Sequence, residues 1–220
     1  MPGDAGQSPE TAVTTARRIL NNQPAAAIGC WYSSLSLAAT QVAEQRRVPW
    51  ITGSIADPIV GRGFKYVFQT SDGSDASAQG LIDAVQMIGA GQSRLAVLAD
   101  NNVANVDLLA SFKKKVATPF VSNQTWTPPL SDATPAVTAT LRSKPNVIYL
   151  GATSTSDQVL VLKQLAAQGN TAPIIMGASS ACNPIFLKAV GAKAVEGVVV
   201  VTGIPFPGKG SDALVAKSRP

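Results

Sequence analysis

Short apolar runs that alternate with helix-like segments restrict the fold of this chain more than any other feature. The two clearest runs are LAVLAD at 95–100 and NVIYLG at 146–151, and each precedes a stretch with apolar residues at helical spacing. Apolar runs without in–out alternation are typical of parallel strands that are buried on both faces. Such strands in alternation with helices predict an α/β fold of doubly wound parallel sheets.

The order of the segments predicts two such α/β units. The alternation restarts after IGAGQS at 88–93, which gives a first unit at 1–92, a second at 93–203 and a tail at 204–220 that stops where another helix would begin. Only three strands precede the division, and an open-edged parallel sheet of three strands is rarely complete. We therefore expect a piece of a longer protein, cut at both ends, with an incomplete first unit and marginal stability.

Composition excludes several classes of protein. The chain has 220 residues, of which 45% are hydrophobic and 14% charged, so we expect a sizeable core and exclude disorder. The formal net charge is +5, but the basic residues are scattered over helix-like stretches without aromatic residues between them, which argues against nucleic acid as a partner. No apolar run approaches the ~20 residues of a membrane helix, and the first residues show no export signal.

Catalytic motifs are missing from the sequence. There is no histidine, which excludes Ser-His-Asp and Cys-His arrangements as well as histidine ligands for zinc. A nucleophile elbow, a phosphate-binding loop and a dinucleotide fingerprint are also absent. We therefore expect no catalytic residues, no cofactor and no metal. The two cysteines, Cys30 and Cys182, fall in different units, and we expect both to be free thiols.

Small hydroxyl residues follow most of the predicted strands. In open α/β sheets, ligands bind beyond the carboxyl ends of the strands, and a hydroxyl beside free helix N–H groups is a good anion receptor. Hydroxyl residues at these ends also serve as ordinary helix caps. We favour ligand contact for Ser33, whereas for Ser179 both interpretations stay open. The candidate ligand-binding serines are Ser33, Ser34, Ser54, Ser154 and Ser179.

The order of the segments is also that of a known family. The segments are IGCWYSSLSLAATQVAEQRRVPWITGSIADPIV, YVFQTSDGSDASAQGLIDAV, RLAVLADNNVANVDLLASFKKKV, SKPNVIYLGATSTSDQVLVLKQLAAQG and PIIMGASSACNPIFLKAVGAKAVEGVVVV. Together they resemble the branched-chain-amino-acid-type solute-binding proteins of ABC transporters over nearly the whole chain. The resemblance implies two lobes of the type I periplasmic binding fold, with the first lobe incomplete. It also implies a periplasmic or extracellular protein that delivers its solute to ABC permease subunits without catalysis.

The resemblance also assigns the carboxylate-binding residues. It implies that Ser33, Ser54 and Ala56 receive the carboxylate of the ligand, aided by free N–H groups near Ser34. At Ala56 the threonine that is usual in the family is missing, so one hydroxyl contact is lost. The hydroxyls that follow the first predicted strand are thus expected to bind an anion.

The body of the ligand is predicted from three further positions. Ala104 stands where family members commonly carry a tyrosine, which leaves room for a larger ligand, and Trp31 and Tyr32 either belong to the core or form apolar walls of the pocket. Amino-acid-binding relatives carry an acid at the position of Ser179, because a buried ammonium needs a charge partner. We therefore predict a small carboxylate without an α-ammonium, an aromatic or keto acid rather than leucine, with an amino acid as the alternative.

Two other functions compete with solute uptake. A ligand-sensing regulator would use the same fold, since a fold does not determine a function. A cytosolic α/β enzyme is disfavoured because the catalytic motifs are missing.

Overall fold

The computed structural model describes residues 2–6, 8–89, 94–116, 120–177 and 184–201. Its helices are α1 (Pro9–Leu20), α2 (Ser33–Arg46), α3 (Ser74–Met87), α4 (Val103–Lys115), α5 (Thr134–Arg142), α6 (Thr155–Ala167), α7 (Pro184–Val190) and α8 (Ala192–Val195). Its strands are β1 (Ala27–Ile28), β2 (Trp50–Thr52), β3 (Val67–Gln69), β4 (Leu95–Asp100), β5 (Ser122–Trp126), β6 (Val147–Gly151), β7 (Ile174–Met176) and β8 (Val198–Val200). All pairings among these strands are parallel, so the predicted α/β class is confirmed.

The first two helices begin at residues that explain their positions. Ser8 is the N-cap of α1 and accepts a hydrogen bond from Thr11 N at 3.2 Å, and Pro9 follows it at the first helical position. Helix α2 begins at Ser33, because the extended residue Tyr32 is its N-cap. Ser33 and Ser34 therefore lie in the first turn of α2 and not in the loop before it.

The first sheet contains β1, β2 and β3 in that order. Helices α1 and α2 cover one of its faces, where a cluster that includes Leu20 and Trp50 is buried. The residues in register on the opposite face include Ile28 and Phe68, which are 82% and 51% exposed. The prediction that the strands are covered on both faces is therefore wrong for this sheet in the part of the chain that the structure describes.

The second sheet contains five strands in the order β5-β4-β6-β7-β8. Every residue of β4 and β6 is buried, since helices cover both faces. Helices α5, α6 and α7 pack on one face around Leu150 and Leu162. Helices α3 and α4 pack on the other around Leu108 and Tyr149. In this sheet the continuous apolar strands are covered by helices on both faces, as the sequence predicts.

Helix α3 packs on the second sheet although it follows the last strand of the first. Its residues Leu81, Ile82 and Val85 share a buried cluster with Val97 and Phe112 of β4 and α4. The division predicted at residue 92 assigns α3 to the first unit, whereas its core contacts are with the second. The chain therefore crosses between the two sheets in the loop between β3 and α3.

One aspartate joins the two sheets at this crossing. Asp57, in a short 3-10 helix that follows β2, accepts hydrogen bonds from Ser74 N at 3.0 Å and Asp75 N at 3.1 Å. Its own N–H donates to Asp107 Oδ2 of α4 at 2.8 Å. A Cβ at Gly73 would lie 2.0 Å from Asp57 Oδ1, so the close approach requires glycine there.

Candidate functional site

The carboxyl ends of the two sheets face a cleft of about 580 Å³. Both sheets contribute to its lining, as expected for a ligand site in open parallel sheets. From the side of the first sheet come Trp31, Tyr32, Ser33, Ser54, Thr70 and Asp72. From the side of the second sheet come Asn102, Ala104, Asn105, Tyr149, Thr153 and Gly177.

Ser33 is placed to donate a hydrogen bond into this cleft. Its side chain is only 2% exposed, yet it lines the cleft at the N-terminus of α2. Ser33 Oγ accepts from Ala56 N at 3.3 Å, and within the described residues no acceptor is found for its hydroxyl hydrogen. A buried hydroxyl with an unused donor is costly unless a ligand satisfies it.

The N-terminus of α2 adds backbone donors beside Ser33. Ser36 N makes the first intrahelical bond, to Tyr32 O at 3.0 Å, and Tyr32 provides no side-chain cap. The N–H groups of Ser33, Ser34 and Leu35 precede that bond and have no partner within the helix. Together with the helix dipole they favour a negative charge at this end of the cleft.

Ser54 has a different part in the same region. It lines the cleft, but its hydroxyl lies 3.0 Å from Cys30 O, 2.9 Å from Trp31 O and 2.6 Å from Ser36 Oγ. A hydroxyl has one hydrogen to donate, and these neighbours already compete for it. Ser54 therefore holds the loop between β1 and α2 in place, which positions the N-terminus of α2.

The structure does not place all the predicted serines on the cleft. Ser154 is the N-cap of α6 and accepts from Asp157 N at 3.1 Å, while its neighbours Thr153 and Thr155 line the cleft instead. Ser34 is half-buried and lies outside the lining. Ser179 lies outside the described residues.

Ala56 is also absent from the lining, because its side chain is fully buried in a cluster with Ile59 and Val67. Its contribution to the site is the N–H that bonds Ser33 Oγ. Position 56 thus acts through its backbone, and a hydroxyl there would point into the core. The missing threonine is therefore no loss to the described cleft.

The three predicted wall residues do line the cleft. Trp31 is 68% exposed and Tyr32 is partly exposed, so neither ring belongs to the core. Ala104 is buried on the opposite side, at the first turn of α4. Two aromatic rings therefore face a small residue across the space where a ligand body would lie.

One buried carboxylate fixes the second-sheet side of the cleft. Buried Asp100 accepts through Oδ1 from Asn102 N at 3.1 Å and from Asn105 Nδ2 at 2.6 Å. Through Oδ2 it accepts from Thr153 N at 2.6 Å and from the Thr153 hydroxyl. These bonds join the ends of β4 and β6, so Asp100 positions the lining and is not free for a ligand.

Asp157 is buried away from the cleft. Its Oδ2 accepts from Trp126 Nε1 at 2.9 Å and from Leu130 N at 3.2 Å. The carboxylate therefore anchors the segment after β5 to α6. It is not available to pair with a ligand ammonium.

Several polar residues of the lining were not among the predicted site residues, and three of them bear directly on ligand chemistry. Asp72, in the loop where the chain crosses between sheets, is exposed and carries the only carboxylate of the described lining; lysine and arginine are absent from it. Tyr149 and Asn105 form the floor on the other side. A tyrosine inside a β-strand gives no sequence signal for a binding site, whereas the short loop of Asp72 after β3 could have been examined with the other strand ends.

Other chemistry finds no support in the described residues. No group of three or more histidine, cysteine or acidic residues is placed to hold a metal ion there. Cys30 is a free thiol whose pKa is raised by burial, so it is a poor nucleophile; Cys182 lies outside the described residues. In the same part of the chain, no helix is long and apolar enough to span a membrane.

Two parallel α/β units around a cleft define a class of α/β fold in which the carboxyl ends of two sheets meet, here with neutral donors at a helix N-terminus. The comparison with known families gives the same class. The family model of the periplasmic binding proteins matches residues 1–217, and the chain belongs to this family.

Solved structures show the same fold at low sequence identity. A leucine binding protein from Thermotoga maritima is 23% identical with a TM-score of 0.77, over 90% of this chain and 56% of that one. An extracellular ligand-binding receptor from Rhodopseudomonas palustris HaA2 is 18% identical with a TM-score of 0.78, over 87% and 54%.

A third structure, from Rhodopseudomonas palustris BisB5, is an ABC transporter solute binding protein in complex with 3,4-dihydroxy benzoic acid. It is 20% identical with a TM-score of 0.69, over 80% of this chain and 50% of that one. This chain thus spans about half the length of these relatives. The comparison with curated proteins found no match.

Proposed function

We propose that this chain binds a small organic acid in the cleft between its two sheets, as the solute-binding component of an ABC-type uptake system. The observation that carries the proposal is the set of donors at the N-terminus of α2, where the buried Ser33 hydroxyl lies beside backbone N–H groups and none of these donors has an acceptor among the described residues. The family match supports the proposal, because the members of this family are periplasmic binding proteins.

Neutral donors suit a carboxylate in this cleft. The described lining contains no lysine or arginine, so an anion would be held by N–H groups, a hydroxyl and the helix dipole. Such charge-assisted hydrogen bonds are about twice as strong as neutral ones. They also leave no buried cation unpaired in the empty cleft, which keeps the open protein stable.

The lining favours an apolar ligand body. Trp31 and Tyr32 present aromatic rings on one side, and Leu108 and Ile175 present aliphatic groups on the other. Aromatic rings pair favourably with a flat apolar ring. We therefore propose an aromatic acid or an apolar keto acid, and the solved relative that holds 3,4-dihydroxy benzoic acid is an example of a ligand of this size.

One observation favours an α-amino acid as the second candidate. Asp72 provides a carboxylate in the lining and has no hydrogen-bond or ion-pair partner among the described residues. A ligand ammonium would gain a charge partner there. The side chain is exposed, however, so the pairing would be worth little while the cleft is open.

Binding would close the cleft by bringing the two sheets together, as in hinge-bending proteins. The closed form would present a surface to permease subunits on the outer side of the cytoplasmic membrane. A regulator that senses the same ligand would use the same closure, so a permease partner distinguishes uptake from sensing.

Calorimetry with a matched set of ligands tests the proposal. L-leucine and α-ketoisocaproate share a side chain and differ in the amino group, and benzoate adds an aromatic acid. We expect benzoate or the keto acid to bind and leucine to bind more weakly. Tight leucine binding that Asp72→Asn abolishes would establish the amino-acid alternative, and no binding by any carboxylate would refute the proposed function.

A further inference from the structure

We infer that the second-sheet side of the cleft recognises a hydroxyl group on the ligand, through Tyr149 and Asn105. The inference rests on the proposed function, because it assigns the end of the ligand that lies away from the carboxylate. It makes the ligand a hydroxylated aromatic acid.

The orientation of the Asn105 amide is fixed by its donors. Asn105 Nδ2 donates to Asp100 Oδ1 at 2.6 Å and to Gly151 O at 2.7 Å, which uses both of its hydrogens. The amide oxygen must therefore point the other way. Asn105 lines the cleft and is only 7% exposed, so the structure presents a buried acceptor there.

Tyr149 presents a donor beside this acceptor. Its hydroxyl lies 3.4 Å from Asn105 Oδ1, at the outer limit of a hydrogen bond, and its side chain is 1% exposed. Burial, and then the negative charge of Asp100, raise the pKa of Tyr149. The hydroxyl therefore stays protonated at physiological pH and keeps its hydrogen to donate.

At this distance the hydrogen bond between the Tyr149 hydroxyl and Asn105 Oδ1 is weak, so each group can still bond a better partner. A hydroxyl is the group that meets both needs, because it can accept from Tyr149 and donate to Asn105 at the same time. A carboxylate could accept from Tyr149 but would oppose the Asn105 oxygen, and an ammonium could not accept from Tyr149. The pair therefore selects a neutral hydroxyl.

Two glycines lie close to the pair. A Cβ at Gly177 would lie 3.1 Å from Tyr149 Oη, and a Cβ at Gly151 would lie 2.8 Å from Asn105 Oδ1. Glycine at both positions therefore lets the backbone lie close to the two oxygens without a side chain that would displace them. Ala104, also in the lining, leaves room for a ring between this floor and the α2 terminus.

The test compares ligands that differ by one group. Benzoate, para-fluorobenzoate, para-hydroxybenzoate and meta-hydroxybenzoate are titrated into the purified chain by calorimetry. At least one hydroxybenzoate is expected to bind about 10-fold or more tightly than benzoate, since a site built for a hydroxyl discriminates strongly against its absence. Para-fluorobenzoate, which has nearly the same shape but no donor, should bind like benzoate.

The variant Tyr149→Phe keeps the ring and removes the hydroxyl. It tests whether the Tyr149 hydroxyl causes the preference for hydroxybenzoates. It should reduce the hydroxybenzoate preference over benzoate to within about 2-fold. Tyr66→Phe is the matched control, because Tyr66 lies in the first sheet region outside the lining.

Equal binding of benzoate and both hydroxybenzoates by the unmodified chain would overturn the inference, even if Tyr149→Phe did not fold. An equal loss for all four ligands in Tyr149→Phe would also overturn it, because that is the result of a structural role. Binding of other carboxylates but of no benzoate would overturn the inference and leave the proposed function standing. Failure of every carboxylate to bind would overturn both.

Discussion

The two sheets border the same cleft but differ in how completely other parts of the chain bury them. The second sheet has five strands and is covered on both faces, so β4 and β6 are fully buried. The first has three strands and leaves Ile28 and Phe68 exposed on one face. Since buried apolar area is the main source of stability, the second sheet is expected to hold most of the folding free energy of the described chain.

The two sides also differ in chemistry. The first-sheet side offers backbone N–H groups and the Ser33 hydroxyl at a helix N-terminus, which suits a charge. The second-sheet side offers side chains locked to Asp100, which suits a neutral polar group. Under the proposed function, this difference would orient the ligand, with its charged end at α2 and its neutral end at β6.

Two isoleucines give the largest expected contrast in stability. Ile148→Ala in β6 removes a fully buried side chain and should lower the free energy of unfolding by roughly 2–5 kcal/mol. Ile28→Ala in β1 removes a side chain that is 82% exposed and should cost less than about 1 kcal/mol. Urea unfolding of both variants measures the difference. A loss for Ile28→Ala as large as for Ile148→Ala would show that the face of the first sheet is covered in solution.

Two substitutions compare how much the polar contacts on each side of the cleft contribute to stability. Asp100→Ala removes the acceptor of four hydrogen bonds and leaves buried donors of Asn105 and Thr153 unsatisfied, so it should cost roughly 2–4 kcal/mol. Ser54→Ala removes one hydroxyl from the loop before α2 and should cost about 1–2 kcal/mol. Thermal unfolding measures both losses. A larger loss for Ser54→Ala than for Asp100→Ala would show that the stronger polar contacts lie on the first-sheet side.

Ser33→Ala separates binding from stability. It should weaken carboxylate binding by roughly 1.5–3 kcal/mol, the range for a hydrogen bond to a charged group. Ser34→Ala is the matched control, since Ser34 lies in the same helical turn but outside the lining, and it should change binding by less than about 0.5 kcal/mol. Equal effects of the two substitutions in calorimetry would contradict the assignment of Ser33.

The pH dependence of stability gives the smallest effect. Because burial raises the pKa of Tyr149 above its ordinary value of 10.0, the unfolded chain ionises first as the pH rises. The contribution of Tyr149 is therefore fully present below about pH 10 and is lost above it. Urea unfolding between about pH 8 and pH 11 should show a steeper loss in the unmodified chain than in Tyr149→Phe. Parallel curves would indicate that Tyr149 is not buried in solution.

The order of strands and helices could be predicted from the sequence because it depends on local patterns. The apolar runs at β4 and β6, the cap at Ser8 and the parallel class all follow from residues close together in the chain. Ser33 was predicted as a site residue for the same reason, since a serine between a strand and a helix lies at a helix N-terminus in any open α/β sheet.

The partners of each side chain were decided only by the tertiary structure. Ser54 and Ser33 have the same chemistry and both follow strands of the first sheet. Ser54 is held by Cys30 and Trp31, whereas the Ser33 hydroxyl has no acceptor among the residues that the structure describes. Likewise, α3 follows the first sheet and packs on the second, and Asn105 meets Tyr149 across 44 residues of sequence. These outcomes depend on which strands become neighbours, and hydrogen bonds between distant residues leave no periodic signal in the sequence.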